Sequence, residues 1–269
     1  MVTNLSQEIL AKLDIREVSA LRGHEQTIST SVKKLKEAML NIGHLVDPII
    51  VDNKTNTVLD GHHRLKVLTV IECPLAACQT VDYLNPNIKV GTWYMAINKP
   101  LEEIIANREF KAEKVDLNAG QAAVKSLKTA FMAVQKKNNK TESLLLDPGN
   151  YKLKELVEEQ NYIVSNLKDL EIRYIADDQA EEFLDQGYTV LERRAYTKEE
   201  IIQSALDHNP LPPKSTRHLI PDRIIRLNMK LGWLHEDKTE AFTHLKEMLE
   251  VRAYNGNVRR YVEPVIVIY

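Results

Sequence analysis

The segment Val58-Leu59-Asp60-Gly61-His62-His63-Arg64 constrains this chain more than any other. An apolar strand run ends at Asp60, a glycine follows, and Arg64–Ile71 resumes at helical spacing. A strand that enters a helix through glycine makes an anion site. The first helical N–H groups have no intrahelical partner, and the helix dipole places roughly half a positive charge at that end. Gly61 lets a ligand approach the backbone, His62 and His63 open the helix, and His63 and Arg64 add side-chain donors. Arg64 does so in the planar fork that suits phosphate. A polar helix start with a solvated histidine pair is the plain alternative. Asp60, His62 and His63 are also metal-ligand types, but adjacent histidines diverge on a helix and no H-x3-H pairing accompanies them. Histidine ligation of a metal is therefore disfavoured.

The surroundings of this turn read as a compact α/β unit. Ile9–Val18 alternates as an opening strand, and Ser31–Asn41 has helical spacing with Gly43 as its C-cap. Pro48–Val51 and Thr57–Leu59 form a hairpin around Asp52–Asn56, and Leu75–Val81 and Lys89–Ile97 are further strands. Beyond Pro100 the pattern shifts to longer helices, Leu117–Lys137 and Tyr151–Leu170, with strands at Glu171–Ile175 and Tyr188–Arg193. Thr197-Lys-Glu-Glu200 is a capping-box start. The basic run Lys136–Lys140 is a solvated helix end, and Val262–Tyr269 is a final strand. The expected organisation is a domain over 1–98 and a second over 99–269.

Charge narrows the function classes. The 269 residues carry 36 Lys+Arg against 38 Asp+Glu, a net −2. The balance is +1 over residues 1–100, −5 over 101–200 and +2 over 201–269, so no third of the chain is a basic arm. Proteins that grip nucleic acid by counterion release carry a basic excess, and nucleic acid is not an expected partner. Cys73 and Cys78 read as two small buried hydrophobes, since their odd spacing on a strand points them to opposite faces. The start MVTNLSQEIL lacks the pattern of a signal peptide, and no apolar run reaches the roughly 20 residues of a membrane helix. A cytoplasmic protein without a membrane partner is expected.

Four motifs, taken in order, resemble one family. They are His24-Glu25-Gln26-Thr27, Asp60-Gly-His-His-Arg64, Val90-Gly-Thr-Trp-Tyr94 and Pro213-Lys-Ser-Thr-Arg-His218. The second resembles the phosphate-binding turn of the ParB/sulfiredoxin-like fold, and together the four resemble the free L-serine kinases of that fold, over about residues 10–97 and 188–230. The resemblance implies an α/β (α+β) protein, with a ParB/sulfiredoxin-like nucleotide-binding domain and a second α/β domain closing an interdomain cleft. It implies that O-phospho-L-serine is made from L-serine and a nucleotide, ADP favoured and ATP the other donor, with Mg2+, in service of cysteine or related amino-acid biosynthesis. Glu25 would be the general base. Asp60, Gly61, His62, His63 and Arg64 would hold the phosphates, with Asp60 and His63 taking part in catalysis. Asp60 either orients the turn or holds Mg2+ through water. Trp93, Thr216, Arg217 and His218 would surround the amino acid, with Arg217 suited to its carboxylate. The family's tryptophan motif continues into proline, whereas Met95 follows Tyr94 here.

Two rivals share the fold. A ParB-like nucleotide-dependent DNA-binding or regulatory protein would carry a helix-turn-helix and a basic surface. A sulfiredoxin would need a cysteine where His62 and His63 stand.

Overall fold

The computed structural model describes residues 4–106, 108–138 and 140–261. Two compact units emerge, and a single cut at 98/99 does not separate them. One comprises residues 1–23, 27–85 and 222–269, and the other residues 24–26 and 86–221.

The first unit begins with α1 (Asn4–Leu10) and β1 (Leu13–Glu17), so the expected strand over 9–18 starts only after a helix. Then follow β2 (Arg22–Gly23), α2 (Ser29–Ile42), β3 (His44–Leu45), β4 (Ile49–Asp52), β5 (Thr57–Asp60), α3 (His62–Val70) and β6 (Leu75–Val81). Five of these strands form one sheet in the order β1-β6-β4-β5-β2, with β4 parallel to β6 and β2 parallel to β5. Gly43, at φ 68°, ends α2 as a left-handed cap. The hairpin of β4 and β5 is held from within. Buried Asp52 accepts the Thr55 N–H at 2.9 Å and the Thr55 hydroxyl at 2.8 Å, while its other oxygen takes the Tyr83 N–H at 3.1 Å. That turn delivers β5 straight into Gly61 and α3.

The second unit holds β7 (Lys89–Gly91), β8 (Trp93–Ile97), α4 (Leu101–Ile105), β9 (Ala112–Val115), α5 (Leu117–Lys125), β10 (Phe131–Lys137), β11 (Lys140–Leu146), α6 (Leu153–Asn166), β12 (Ile172–Ala176), α7 (Ala180–Asp185), β13 (Thr189–Glu192), α8 (Lys198–Leu206) and β14 (Arg217–Leu219). Six strands make an antiparallel sheet in the order β12-β8-β13-β10-β11-β9. The expected strand over 89–97 breaks at Thr92, and its first part, β7, pairs with β14 instead, His218 opposite Val90.

The long helix expected over 117–137 is corrected. α5 stops at Lys125, Leu127 adopts φ 60°, and Phe131–Lys137 is a central strand paired on both sides. Its first five residues are all buried, and a short continuous apolar run fits a buried strand as well as a helix. Lys136 and Lys140 accordingly lie on a hairpin and not at a helix end; Lys136 pairs with Glu181 and Asp185, and Lys137 with Glu102. The capping box at Thr197 is present, with the Glu200 N–H on the threonine hydroxyl at 3.2 Å and the Thr197 N–H on the Glu200 carboxylate at 2.9 Å.

The chain then returns to the first unit. β15 (Met229–Lys230) pairs with β3, and α9 (Lys238–Tyr254) completes the core. Leu227, Met229, Leu231, Leu234, Ala241, Leu245 and Leu249 are buried there with Ile15, Val58, Val67 and Cys78. The first unit's core is thus finished by residues more than 200 positions from its opening strand. The expected strand Val262–Tyr269 lies outside the described residues. Among the described residues no helix is long and apolar enough to cross a membrane.

Candidate active site

In the first unit, Gly61 caps α3 at φ 101° and ψ 24°. A side chain there would meet a crowded space, since a β-carbon would stand 2.9 Å from Arg64 Nε. Arg64 therefore folds back over the glycine, and its Nη2 donates to Asp60 Oδ2 at 2.6 Å while Nη1 lies 3.6 Å from Asp47. Arg223 reaches the same Asp60 oxygen at 3.2 Å. Burial opposes ionisation of Asp60, but Arg64, Arg223 and His62 together hold its carboxyl below the usual carboxylate range. His62 is buried. His63 Nε2 accepts the Ile28 N–H at 3.1 Å, so the imidazole ties the start of α2 to the start of α3.

In the second unit, Glu25 is held by a segment that begins at Lys214. Its Oε1 accepts the Lys214 N–H at 2.8 Å, and its Oε2 accepts the N–H groups of Ser215 at 3.3 Å and Thr216 at 3.2 Å and the Thr216 hydroxyl at 2.7 Å. Three successive N–H groups converge because Lys214 adopts φ 56°, a left-handed turn that folds the backbone into an anion-binding concavity. The backbone of Glu25 bridges to Leu211, with the Leu211 N–H on the His24 carbonyl at 2.8 Å and the Gln26 N–H on the Leu211 carbonyl at 2.9 Å.

Trp93 joins the same cluster. Its Nε1–H donates to the Thr216 carbonyl at 3.0 Å, and Lys214 Nζ and Arg217 Cζ lie 5.7 and 6.0 Å from its ring. Arg217 Nη1 donates to Asp177 and Asp178, at 3.1 Å each, and Asp177 also takes the Thr92 N–H at 3.2 Å. One edge of the guanidinium is thus engaged, leaving Nε and Nη2 as its remaining donors. His218 is buried, and its ring meets that of His24 edge-on at 5.5 Å.

Sequence reasoning missed Arg193. It is buried, donates through Nε to the Trp93 carbonyl at 3.2 Å and through Nη2 to the Lys214 carbonyl, and lies over the Phe131 ring. Burial pulls its pKa down, against the opposing influence of Tyr196 and Glu25. Only its place in the run Glu192-Arg-Arg194 at a strand end could have signalled it.

No described cluster of three or more histidines, cysteines or acids could hold a metal ion. Asp60 does not fit direct ligation, because two guanidinium groups already share one of its oxygens; its Oδ1 fits a water-mediated contact to a phosphate-bound cation. Neither cysteine is a nucleophile in waiting. Both thiols are buried, and burial pushes Cys78 up to about 12.

The chain is an α/β protein of the ParB/sulfiredoxin-like fold, with a glycine turn that opens a helix in one unit and a carboxylate held by a backbone turn in the other. No family model matches the chain. It is 30% identical over 227 residues to the ATP-dependent L-serine kinase of Staphylothermus marinus, covering 76% of this chain and 84% of that protein. It is 24% identical over 228 residues to the ADP-dependent L-serine kinase of Thermococcus kodakarensis, covering 80% and 90%. A solved free serine kinase in complex with AMP superposes with a TM-score of 0.70 at 24% identity, covering 83% of this chain and 93% of that one. The chain belongs to the L-serine kinase family.

Proposed function

We propose that this protein transfers a phosphoryl group from a nucleotide to the hydroxyl of free L-serine, releasing O-phospho-L-serine. The observation that carries the reading is the Glu25 carboxylate, fixed by four hydrogen bonds next to an indole and a guanidinium edge. An alcohol is a poor nucleophile at neutral pH, and a positioned carboxylate is what it needs. Glu25 takes the serine proton as the Oγ–P bond forms and the bond to the leaving nucleotide breaks. The N–H groups of the Gly61–Arg64 helix start hold the donor's phosphates, with His62 and His63 in the same turn. Asp60 keeps Arg64 in place, the orienting role.

Asp60 Oδ1 is the protein oxygen that would reach a nucleotide-bound Mg2+ through water, and the ion would supply charge neutralisation at the phosphate oxygens. Trp93 walls the amino acid, Arg217 receives its carboxylate through Nε and Nη2, and Thr216 and His218 complete the enclosure. The matched relatives use ATP in one case and ADP in the other, so both donors belong in the test. We place the protein in the cytoplasm, where both substrates are at hand.

The test is incubation of purified protein with L-serine, Mg2+ and ADP or ATP, followed by mass spectrometry for O-phosphoserine. We expect product with at least one donor. Nucleotide binding with no product from either would sink the kinase reading and favour a regulatory ParB-like protein. Glu25→Gln should lower kcat by about 10²–10⁴-fold with nucleotide affinity retained. A fully active Glu25→Gln would place the base elsewhere.

A further inference from the structure

The carboxylate of Glu25 is unevenly loaded. Oε2 receives three hydrogen bonds, from Ser215 N–H, Thr216 N–H and the Thr216 hydroxyl, whereas Oε1 receives one, from Lys214 N–H. A carboxylate offers about four lone-pair sites over its two oxygens, so Oε2 is saturated and Oε1 retains room for one more proton donor. The shortest of these bonds, 2.7 Å, comes from the Thr216 hydroxyl, which has a single proton to give.

The same hydroxyl oxygen lies 2.9 Å from His24 Nε2. Its proton is committed to Glu25, because an ionised carboxylate can only accept. Oγ1 must therefore accept from His24, and the Nε2 of that imidazole carries hydrogen. His24 is fully buried, and its carbonyl is anchored by the Leu211 N–H at 2.8 Å. The result is a directed chain, His24 Nε2–H to Thr216 Oγ1–H to Glu25 Oε2.

We infer that His24 is a positioning residue for the base: through Thr216 it keeps Oε2 saturated and reserves Oε1 as the atom that takes the serine proton. A threonine hydroxyl otherwise rotates among three staggered wells, and only one of them serves Glu25. The inference rests on Glu25 being the base, as proposed above. It assigns His24, which the four-motif resemblance left without a role, and it selects between two oxygens that the sequence cannot distinguish.

A double-mutant cycle tests it, using kcat for phosphoserine formation at saturating serine and nucleotide. His24→Phe keeps the ring but removes the donor and should lower kcat by about 10- to 100-fold, the range for losing a hydrogen bond that orders a charged group. His24→Gln, whose amide can offer hydrogen from a similar place, should recover most of that loss. Thr216→Val should be slow by itself, and adding His24→Phe should slow it no further, since the histidine acts only through the hydroxyl. Wild-type kcat in His24→Phe, no recovery with glutamine, or losses that multiply in the double variant would each overturn the inference. Wild-type turnover together with an inactive Glu25→Gln establishes the underlying reading separately. A readout independent of turnover is the imidazole nitrogen NMR spectrum of the full chain. His24 Nε2 should carry hydrogen, and an unprotonated Nε2 would overturn the inference even if every variant misfolded.

Discussion

At Gly61 and Lys214 the backbone takes left-handed conformations for different reasons, and the two respond differently to substitution. Gly61→Ala forces a β-carbon into φ 101° and against Arg64. We expect it to destabilise the fold by about 1–2 kcal/mol and to weaken ADP and ATP binding by tenfold or more, measured by denaturant titration and calorimetry. Unchanged affinity would remove this turn from the nucleotide site. Lys214, at φ 56°, already bears such strain, so Lys214→Gly should keep the Glu25 hydrogen bonds, none of which uses the lysine side chain, and leave stability equal or higher. Glu192 carries the clearest pH signature. Burial lifts it to about 7 from 4.5, with a Gln121 hydrogen bond opposing and Glu181 reinforcing. Between those two values the folded state keeps a proton that the unfolded state loses, so this group's contribution to stability falls as pH rises through the window and is flat above it. Glu192→Gln should therefore match the wild type at acidic pH and exceed it at pH 8 by on the order of 2–3 kcal/mol. A gap that stays constant with pH would mean that Glu192 titrates normally.

Elements that declare themselves locally were legible. The hairpin around Asp52–Asn56, Gly43 as the end of α2 and the Thr197 capping box each rest on residues a few positions apart. The α5–β10 region was not legible, because Leu127, Phe131 and Val134 satisfy a helical stripe while the same stretch is a strand enclosed on both faces. The helices α4 and α7 went unread for another reason: they are only five and six residues long, too short to show a helical period. Glu25 was found as a residue type in a motif, but its cradle was hidden, since three of its four donors are main-chain groups about 190 positions onward. Arg193 links three elements of that cradle at once, the start of β8, the end of β13 and the turn before β14. A lysine cannot bridge two carbonyls in that fork geometry. Arg193→Lys should cost about 2–4 kcal/mol in urea unfolding and raise the KM for serine, whereas wild-type values of both would reduce Arg193 to a packing residue.

For the whole molecule, the two units are each built from separated stretches of chain. Residues 1–98 lack Leu227, Met229, Leu231, Leu234 and the α9 leucines that fill the first unit's core, each worth about 1.5–3 kcal/mol when buried. A 1–98 fragment should therefore expose its amides to rapid hydrogen exchange, and a 1–98 fragment with native protection would restore the simpler boundary. The second unit's hold on residues 24–26 has a consequence in time. As the chain leaves the ribosome, Glu25 emerges well before every donor that aims it, since those donors belong to residues 214–216. At synthesis rates of about 5–20 residues per second, that is an interval of roughly ten seconds or more. During it, the Glu25 carboxylate exists without the groups that fix it, so a product terminated before residue 214 holds that glutamate unaimed.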